Sequence, residues 1–229
     1  IFSLKFFLRF TFGLIFNLIR YFAAKKSRKN LLKNKIKILN DYPITIIDTF
    51  LLPEYINSDR YYNNLTDNIS DNLSKIYYLP TVVVINKIDI LKLNQIYKDI
   101  RNSNRNFLVK EDYLNIFDLF YSFFHYFRLI KLKKYNFKHN KVDYSKLIYS
   151  ELYSSSSFNM SIEAILNYRF IKKLKSNKIK LKYFINWWEN QPLDKSFNFA
   201  LKKFYQSVKV VGYLGYVPRN LELNIFPVD

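Results

Sequence analysis

No cysteine occurs in this chain of 229 residues, so neither a disulfide framework nor a thiolate metal site can form, which fits a cytoplasmic protein. Histidine is nearly as scarce. His125 and His139 stand apart from any carboxylates at metal-ligand spacing, and the aromatic run around His125 predicts a packed side chain. Glycine is limited to Gly13, Gly212 and Gly215, and the long gap between the first two excludes a function class. Asn86-Lys87-Ile88-Asp89 follows a β-branched run, as the guanine-reading tetrapeptide of GTP-binding proteins does. That class also needs an upstream G-x-x-x-x-G-K-[ST] loop, whose backbone N–H groups cradle phosphates. No glycine is placed to build one.

Acid is missing from residues 1–40, which hold ten Lys and Arg. A second basic block, 131–182, sets thirteen basic against three acidic residues, whereas 41–130 and 183–229 nearly balance. The net charge of +19 thus resides in two blocks flanking a neutral body. It implies anionic partners: lipid headgroups, nucleotide phosphates or nucleic acid. With 49% hydrophobic and 19% aromatic residues, the chain can bury a core and is expected to fold.

Residues 1–24 are mostly apolar but carry Lys5, Arg9 and Arg20, which fall within a wedge of roughly 60° on a helical wheel. A spanning helix would hold these charges at about 2.5–3.5 kcal/mol each near the bilayer centre; an interfacial helix would not. Lys25, Lys26, Arg28 and Lys29 follow, each contributing on the order of 1 kcal/mol beside an anionic leaflet. Residues 1–37 are therefore expected to form an amphipathic helix on an anionic membrane surface, with these seven cations in contact with it. Packing against another domain is the alternative. No small-residue cleavage site follows the apolar run, which argues against a signal peptide.

The remainder, 41–229, predicts an α/β, Rossmann-like domain with a mainly parallel sheet, and the basic helical segment 1–40 lies outside it. Strands are expected near 44–50, 76–85, 106–109, 181–187 and 208–212. Helices are expected over 91–103, 111–132, 144–153, 162–174 and after Pro192. In the second of these, Phe117, Phe120, Tyr121, Phe124 and Phe127 form a broad apolar face that reads as core.

Both tryptophans, two of the three glycines and Pro192 fall within 183–216. This stretch predicts a βαβ unit: an aromatic strand, a turn at Asn190-Gln191, a helix opened by Pro192, and a short buried strand over 208–211. Ligands of open α/β sheets bind beyond the carboxyl ends of strands. There the first strand carries Glu189, Asn190 and Gln191, with Asp194 and Lys195 in the first helical turn, and the second leads into Gly212-Tyr213 and Gly215-Tyr216. A carboxylate beside amides suits a general base and hydrogen-bonding set for a polyhydroxylated substrate. Glu189 and Asp194 are the candidate catalytic groups, and the glycines would let backbone approach a ligand. The alternative is that both acids cap a helix while the tryptophans fill a core. In the loop after the first strand, Arg60 stands beside Tyr61 and Tyr62, suited to clamping a phosphate or carboxylate or to pairing with Glu54 or Asp59.

WWENQ, then LDK, a helix and VGYLGYVP, together with the earlier IIDTFL, SDRYYNNL and YYLPT, resemble bacterial surface-polysaccharide (capsule and lipopolysaccharide O-antigen) biosynthesis proteins, glycosyltransferases of the GT-B type. The resemblance implies two Rossmann-like halves, of which this chain would be the N-terminal, acceptor-side one, as its start at Ile1 and end at Asp229 also suggest. It implies a sugar-nucleotide donor held mostly in the second half, a glycan or lipid-linked acceptor, no resident cofactor, and a place at the inner face of the cytoplasmic membrane. Metal-dependent sugar transferases of the other common fold carry an Asp-x-Asp pair; none occurs here, so metal-independent transfer is expected. Two alternatives come from other classes. One is a basic nucleic-acid-binding module, motivated by the charge and interleaved Tyr and Phe, although no RNP1-like strand is present. The other is a non-catalytic membrane-associated scaffold.

Overall fold

The computed structural model describes residues 4–28, 42–58, 61–62, 75–82, 87–129, 136–154 and 158–214. The run ITIIDTFL forms β1 (Ile44–Leu51), buried along almost its whole length, as an unbroken apolar run in a covered parallel sheet must be. Beside it lie β2 (Ile76–Val82) and β5 (Leu181–Trp187), with β6 (Lys209–Tyr213) at the far edge. The order β2-β1-β5-β6 is parallel throughout, with Ile47 opposite Tyr78 and Ile185, and Trp187 opposite Tyr213. The α/β, Rossmann-like expectation holds.

Helices cover both faces. Ile44, Ile46, Leu79 and Phe184 share a core with α6 (Phe158–Ser176) and α7 (Pro192–Phe204), where Phe197 sits 4.9 Å from Phe184, ring centre to ring centre. On the other face, Leu51 and Val82 meet Leu93, Ile96 and Tyr97 of α2 (Lys87–Asn102), beside an aromatic group of Tyr62, Tyr78, Trp187 and Tyr213. An antiparallel pair, β3 (Lys138–His139) and β4 (Val142–Asp143), precedes α5 (Ser145–Ser154).

The expected βαβ unit forms as β5, α7 and β6, with Pro192 in the first helical turn and Phe197, Ala200 and Leu201 buried at helical spacing. The closing strand differs in one respect: Lys209 to Gly212 of β6 are exposed, not buried. The strand expected at 106–109 reduces to a single parallel bridge of Phe107 to Tyr78. Leu108 donates its N–H to the Tyr78 carbonyl over 2.8 Å.

The aromatic helix expected over 111–132 is broken and turned around. A short 3-10 turn covers Lys110–Asp112, α3 (Ile116–Phe123) starts at a capping box between Asn115 and Asp118, and α4 (His125–Leu129) follows after a break at Phe124. Asp118 is fully buried, paired with Arg169 and Lys173 of α6. Drawing Asp118 and Ser122 inward turns Phe117, Tyr121 and Phe124 outward, and Phe117 is 74% exposed. A charge that finds its partner in the core has overridden the apolar stripe.

The N-terminal helix, α1 (Leu4–Arg28), spans about 37 Å at 1.5 Å per residue. It is not outside the domain: Phe6 enters the core of α6 and α7, and Ala23 and Ala24 pack with Leu51 and Val82 at the carboxyl ends of β1 and β2. Its wheel departs from that of a helix on a water-facing surface, with polar residues drawn in and large apolar ones left out. Besides Phe6, Ala23 and Ala24, the inner face holds Gly13, Asn17, Arg20 and Ser27, while Leu4, Leu8, Phe12, Ile15, Ile19 and Phe22 point outward, Phe12 with 70% of its surface exposed. Arg20 is therefore no membrane-surface cation. It is 9% exposed and engaged by the buried Glu111 and the largely buried Glu163, a stronger attraction than a screened headgroup offers. Lys25 and Arg28 are half-buried, each donating to the Asp112 carbonyl over 3.3 Å. Arg9 and Lys26 are exposed. The side chain of Lys5 and all of Lys29 lie outside the described residues.

Candidate functional site

The turn from β5 into α7 brings together five of the sequence-predicted residues. Asn190 adopts φ 56°, a left-handed conformation that Asn tolerates better than most residues, and this reverses the chain before Gln191 and Pro192. Asp194 is 3% exposed and folds back over the turn, accepting the Glu189 N–H at 2.8 Å on Oδ2 and the Lys195 N–H at 3.1 Å on Oδ1. Burial pushes its carboxyl above the usual range, while the N–H groups of Glu189, Asn190 and Lys195 pull it back. Asp194 thus shapes the turn. Glu189 is half-buried and accepts the Trp187 indole N–H on Oε1 at 2.7 Å. That contact fixes the carboxylate at the strand's carboxyl end. Lys195 is exposed and Gln191 half-buried beside it.

Gly212 and Tyr213 lie next to this turn through the sheet register, opposite Asn186 and Trp187. The close approach that Gly212 permits is to Trp188, whose Cβ would stand 3.1 Å from a Cβ at position 212. Trp188 also donates its N–H to the Tyr213 carbonyl at 2.9 Å. Tyr213 packs against Tyr62 and Trp187, at 4.9 and 5.7 Å between ring centres. Both Gly212 and Tyr213 therefore support the turn from beside it. Arg60, Gly215 and Tyr216 lie outside the described residues.

One residue before Asp194 the chain meets an open cavity of about 870 Å³. Leu193 forms part of its wall, with Thr81 at the end of β2, Ile90 of α2, Phe158, Asn159, Met160 and Glu163 of α6, and the stretch of α1 from Leu8 to Arg20. This is the carboxyl-end position where open α/β sheets bind ligands, roofed by α1. The size lies within the usual range of small-molecule sites, about 300–1,000 Å³.

Beneath the cavity lies an ionic cluster that the sequence reading did not single out. Glu163 accepts Arg20 Nη2 on Oε2 at 2.9 Å and the Lys110 ammonium on Oε1. Arg20 Nε stands 3.1 Å from Glu111 Oε1, which also accepts from the Tyr97 hydroxyl, and Lys110 donates to Asn167 Oδ1 at 2.7 Å. Burial alone would raise the Glu163 carboxyl, but Arg20 and Lys110 outweigh it and pull it down to about 2. Burial would likewise lower Arg20; Glu163 and Glu111 hold it above its ordinary value. Asp48 of β1, 7% exposed, is pushed up to about 7 by burial, with Asp194 and Glu163 adding and Lys110 opposing. The sequence signal was present but faint: Arg20 and Glu163 are lone charges in otherwise apolar helical runs.

Among the described residues no group of three or more His, Asp or Glu side chains is arranged to hold a metal ion. No protein-family model, no curated protein and no solved structure matches this chain.

Proposed function

We propose that this chain is the acceptor-side half of a metal-independent, GT-B-type glycosyltransferase of bacterial surface-polysaccharide synthesis, seated on the inner face of the cytoplasmic membrane. The observation that carries the reading is the juxtaposition at the sheet's carboxyl end. Asp194 directly follows Leu193 of the cavity wall, Glu189 lies in the same turn, and the helix roofing that cavity turns a largely apolar face outward. The resemblance of WWENQ and VGYLGYVP supplies the reaction class.

In this reading Glu189 takes the proton of an acceptor hydroxyl as that oxygen attacks the anomeric carbon of a sugar nucleotide. The glycosidic bond to the nucleotide breaks, and the nucleotide phosphate leaves with the bonding pair. A positioned carboxylate contributes about 10²- to 10⁴-fold as general base. Asp194 holds the turn, and Asn190, Gln191 and Lys195 meet the sugar hydroxyls and phosphates.

Membrane seating follows from α1. Phe6–Arg28 has the length and apolarity of a span, but crossing the bilayer would strip Arg20 from Glu111 and Glu163. Lying in the interface leaves that cluster intact, immerses Leu8, Phe12, Ile15 and Ile19, and sets Lys26 near the headgroups.

The test is transfer of label from a panel of radiolabelled sugar nucleotides into organic-extractable material by the full-length protein on bacterial membranes. Transfer that Glu189→Gln cuts about a hundredfold or more, with thermal stability unchanged, supports the assignment. No transfer from any donor would overturn the reaction class, and transfer indifferent to Glu189→Gln would remove Glu189 as the base.

A further inference from the structure

Drawing Asp118 into the core leaves an aromatic ridge along the opposite side of α3. Phe117, Tyr121 and Phe124 follow one another at spacings of four and three, which put side chains on one helix face, and all three are exposed. Large rings set side by side in solvent mark a contact surface. The ridge does not stand alone. Phe124 lies 6.1 Å from Phe10 of α1, ring centre to ring centre, and Phe10 sits three residues after the exposed Phe7, on the same side of that helix. Phe10 thus joins the ridge to the outward face of α1, whose exposed members include Leu4, Ile15 and Phe22.

Charge decides what suits this surface. Two guanidinium groups lie against the Tyr121 ring, that of Arg128 at 3.9 Å and that of Arg169 at 4.8 Å from its centre. Asp118 is the only acid in α1, α3 and α4, and it is fully buried. The surface is therefore aromatic, aliphatic and basic, with no exposed carboxylate on the three helices that build it. A second copy would bring the same cations into the contact, where like charges repel. A single-stranded nucleic acid would stack on Phe117 and Tyr121 but makes no use of Leu4, Ile15 and Phe22. An anionic bilayer serves every part: hydrocarbon for the phenylalanines and aliphatics, headgroup phosphates for the arginines, and the boundary between them for a tyrosine.

We propose that the ridge of Phe117, Tyr121 and Phe124 is a second membrane-contact element that enters the same anionic leaflet as α1. Phe117 and Phe124 lie among the acyl chains, and Tyr121 sits at headgroup level with Arg128 over its ring. The inference rests on the proposed membrane seating and deepens it. A single helix in the interface is free to roll about its own axis, whereas an anchor on a second element fixes that roll and with it the orientation of the whole domain.

The chain has no cysteine, so a single introduced thiol carries an environment-sensitive nitrobenzoxadiazole label without background. Phe117→Cys reads the ridge and Ile15→Cys reads α1, each in the full chain titrated with vesicles of phosphatidylglycerol and phosphatidylcholine. Both labels are expected to shift to the blue and to be quenched by doxyl groups on the acyl chains. With the label at position 15, Phe117→Ser is expected to raise the lipid concentration for half-binding about tenfold, with an unchanged melting temperature. Arg128→Gln is expected to raise it about fivefold on these vesicles and not on pure phosphatidylcholine. A shift at Ile15 without one at Phe117 overturns the ridge and leaves the seating of α1 standing. A shift at Phe117 alone keeps the ridge as a membrane contact and overturns the seating of α1, and no shift at either position overturns both. A Phe117 shift produced by polyuridylate, or by raising the protein concentration without lipid, and not by vesicles would assign the surface to nucleic acid or to a second copy and overturn the proposal.

Discussion

Arg20 points inward from a helix whose outer face is apolar and sets its Nη2 2.9 Å from Oε2 of Glu163, a residue 143 positions further along the chain. The pair ties the N-terminal helix to α6 beneath the cavity. Its two charges are matched by Lys110 and Glu111, so the cluster is balanced and removing one member leaves a buried charge uncompensated. Arg20→Met is expected to destabilise the protein by about 3–5 kcal/mol, measured by urea unfolding. A loss below about 1 kcal/mol would mean that the cluster is solvated like an ordinary surface pair.

Glu163 and Asp48 give opposite slopes with pH. The Glu163 carboxyl, held down to about 2 against a usual 4.5, binds fewer protons folded than unfolded between those values, so its contribution is lost as pH falls through them. Asp48, raised to about 7 from 3.8, binds more protons folded than unfolded, so its contribution is present at low pH and lost as pH rises from about 4 to about 7. Asp48→Asn should therefore gain stability relative to the parent across that window, at about 1.4 kcal/mol per unit of the shift removed. Thermal melts of both proteins at a series of pH values read the difference, and a flat difference profile would show that Asp48 titrates normally.

Asp194 and Glu189 share a turn but differ in what they hold. Asp194→Ala leaves the Glu189 N–H without its acceptor, while the Lys195 N–H keeps the Gln191 carbonyl at 3.1 Å, and is expected to cost about 1–3 kcal/mol. Glu189→Gln keeps an acceptor for the Trp187 indole and should melt within a degree or so of the parent. If the two substitutions were equally destabilising, Glu189 would be a structural cap like its neighbour.

Gly212→Ala places a Cβ 3.1 Å from the Cβ of Trp188, an atom close to the backbone that cannot swing aside. The expected cost is about 1–3 kcal/mol, with a change in tryptophan fluorescence as Trp188 shifts. Unchanged stability would show that the β6 edge yields freely.

Replacing Phe12, Ile15 and Ile19 together by serine tests the membrane face. These side chains are exposed, so the fold should survive while flotation on anionic vesicles is lost. Retained flotation would place the contact elsewhere.

The parallel sheet and the β5–α7–β6 unit were legible because their signals are local: an unbroken apolar run for β1 and helical spacing after Pro192. The turn residues Glu189 to Lys195 were legible for the same reason, being neighbours in sequence. Two errors share a cause. A wheel drawn for α1 groups Arg20 with Lys5 and Arg9 as a polar face for water or headgroups, and a wheel drawn for 111–132 sends its phenylalanines inward. Periodicity reports which residues share a face, and nothing in it says which face looks in. That choice was made by charges far away in the chain: Glu111 and Glu163 drew Arg20 under α1, and Arg169 and Lys173 drew Asp118 under α3. The sequence by itself determined most of the elements. Only tertiary structure decided their orientation, and with it the cavity under α1, because a buried charge costs far more unpaired than an apolar face costs exposed.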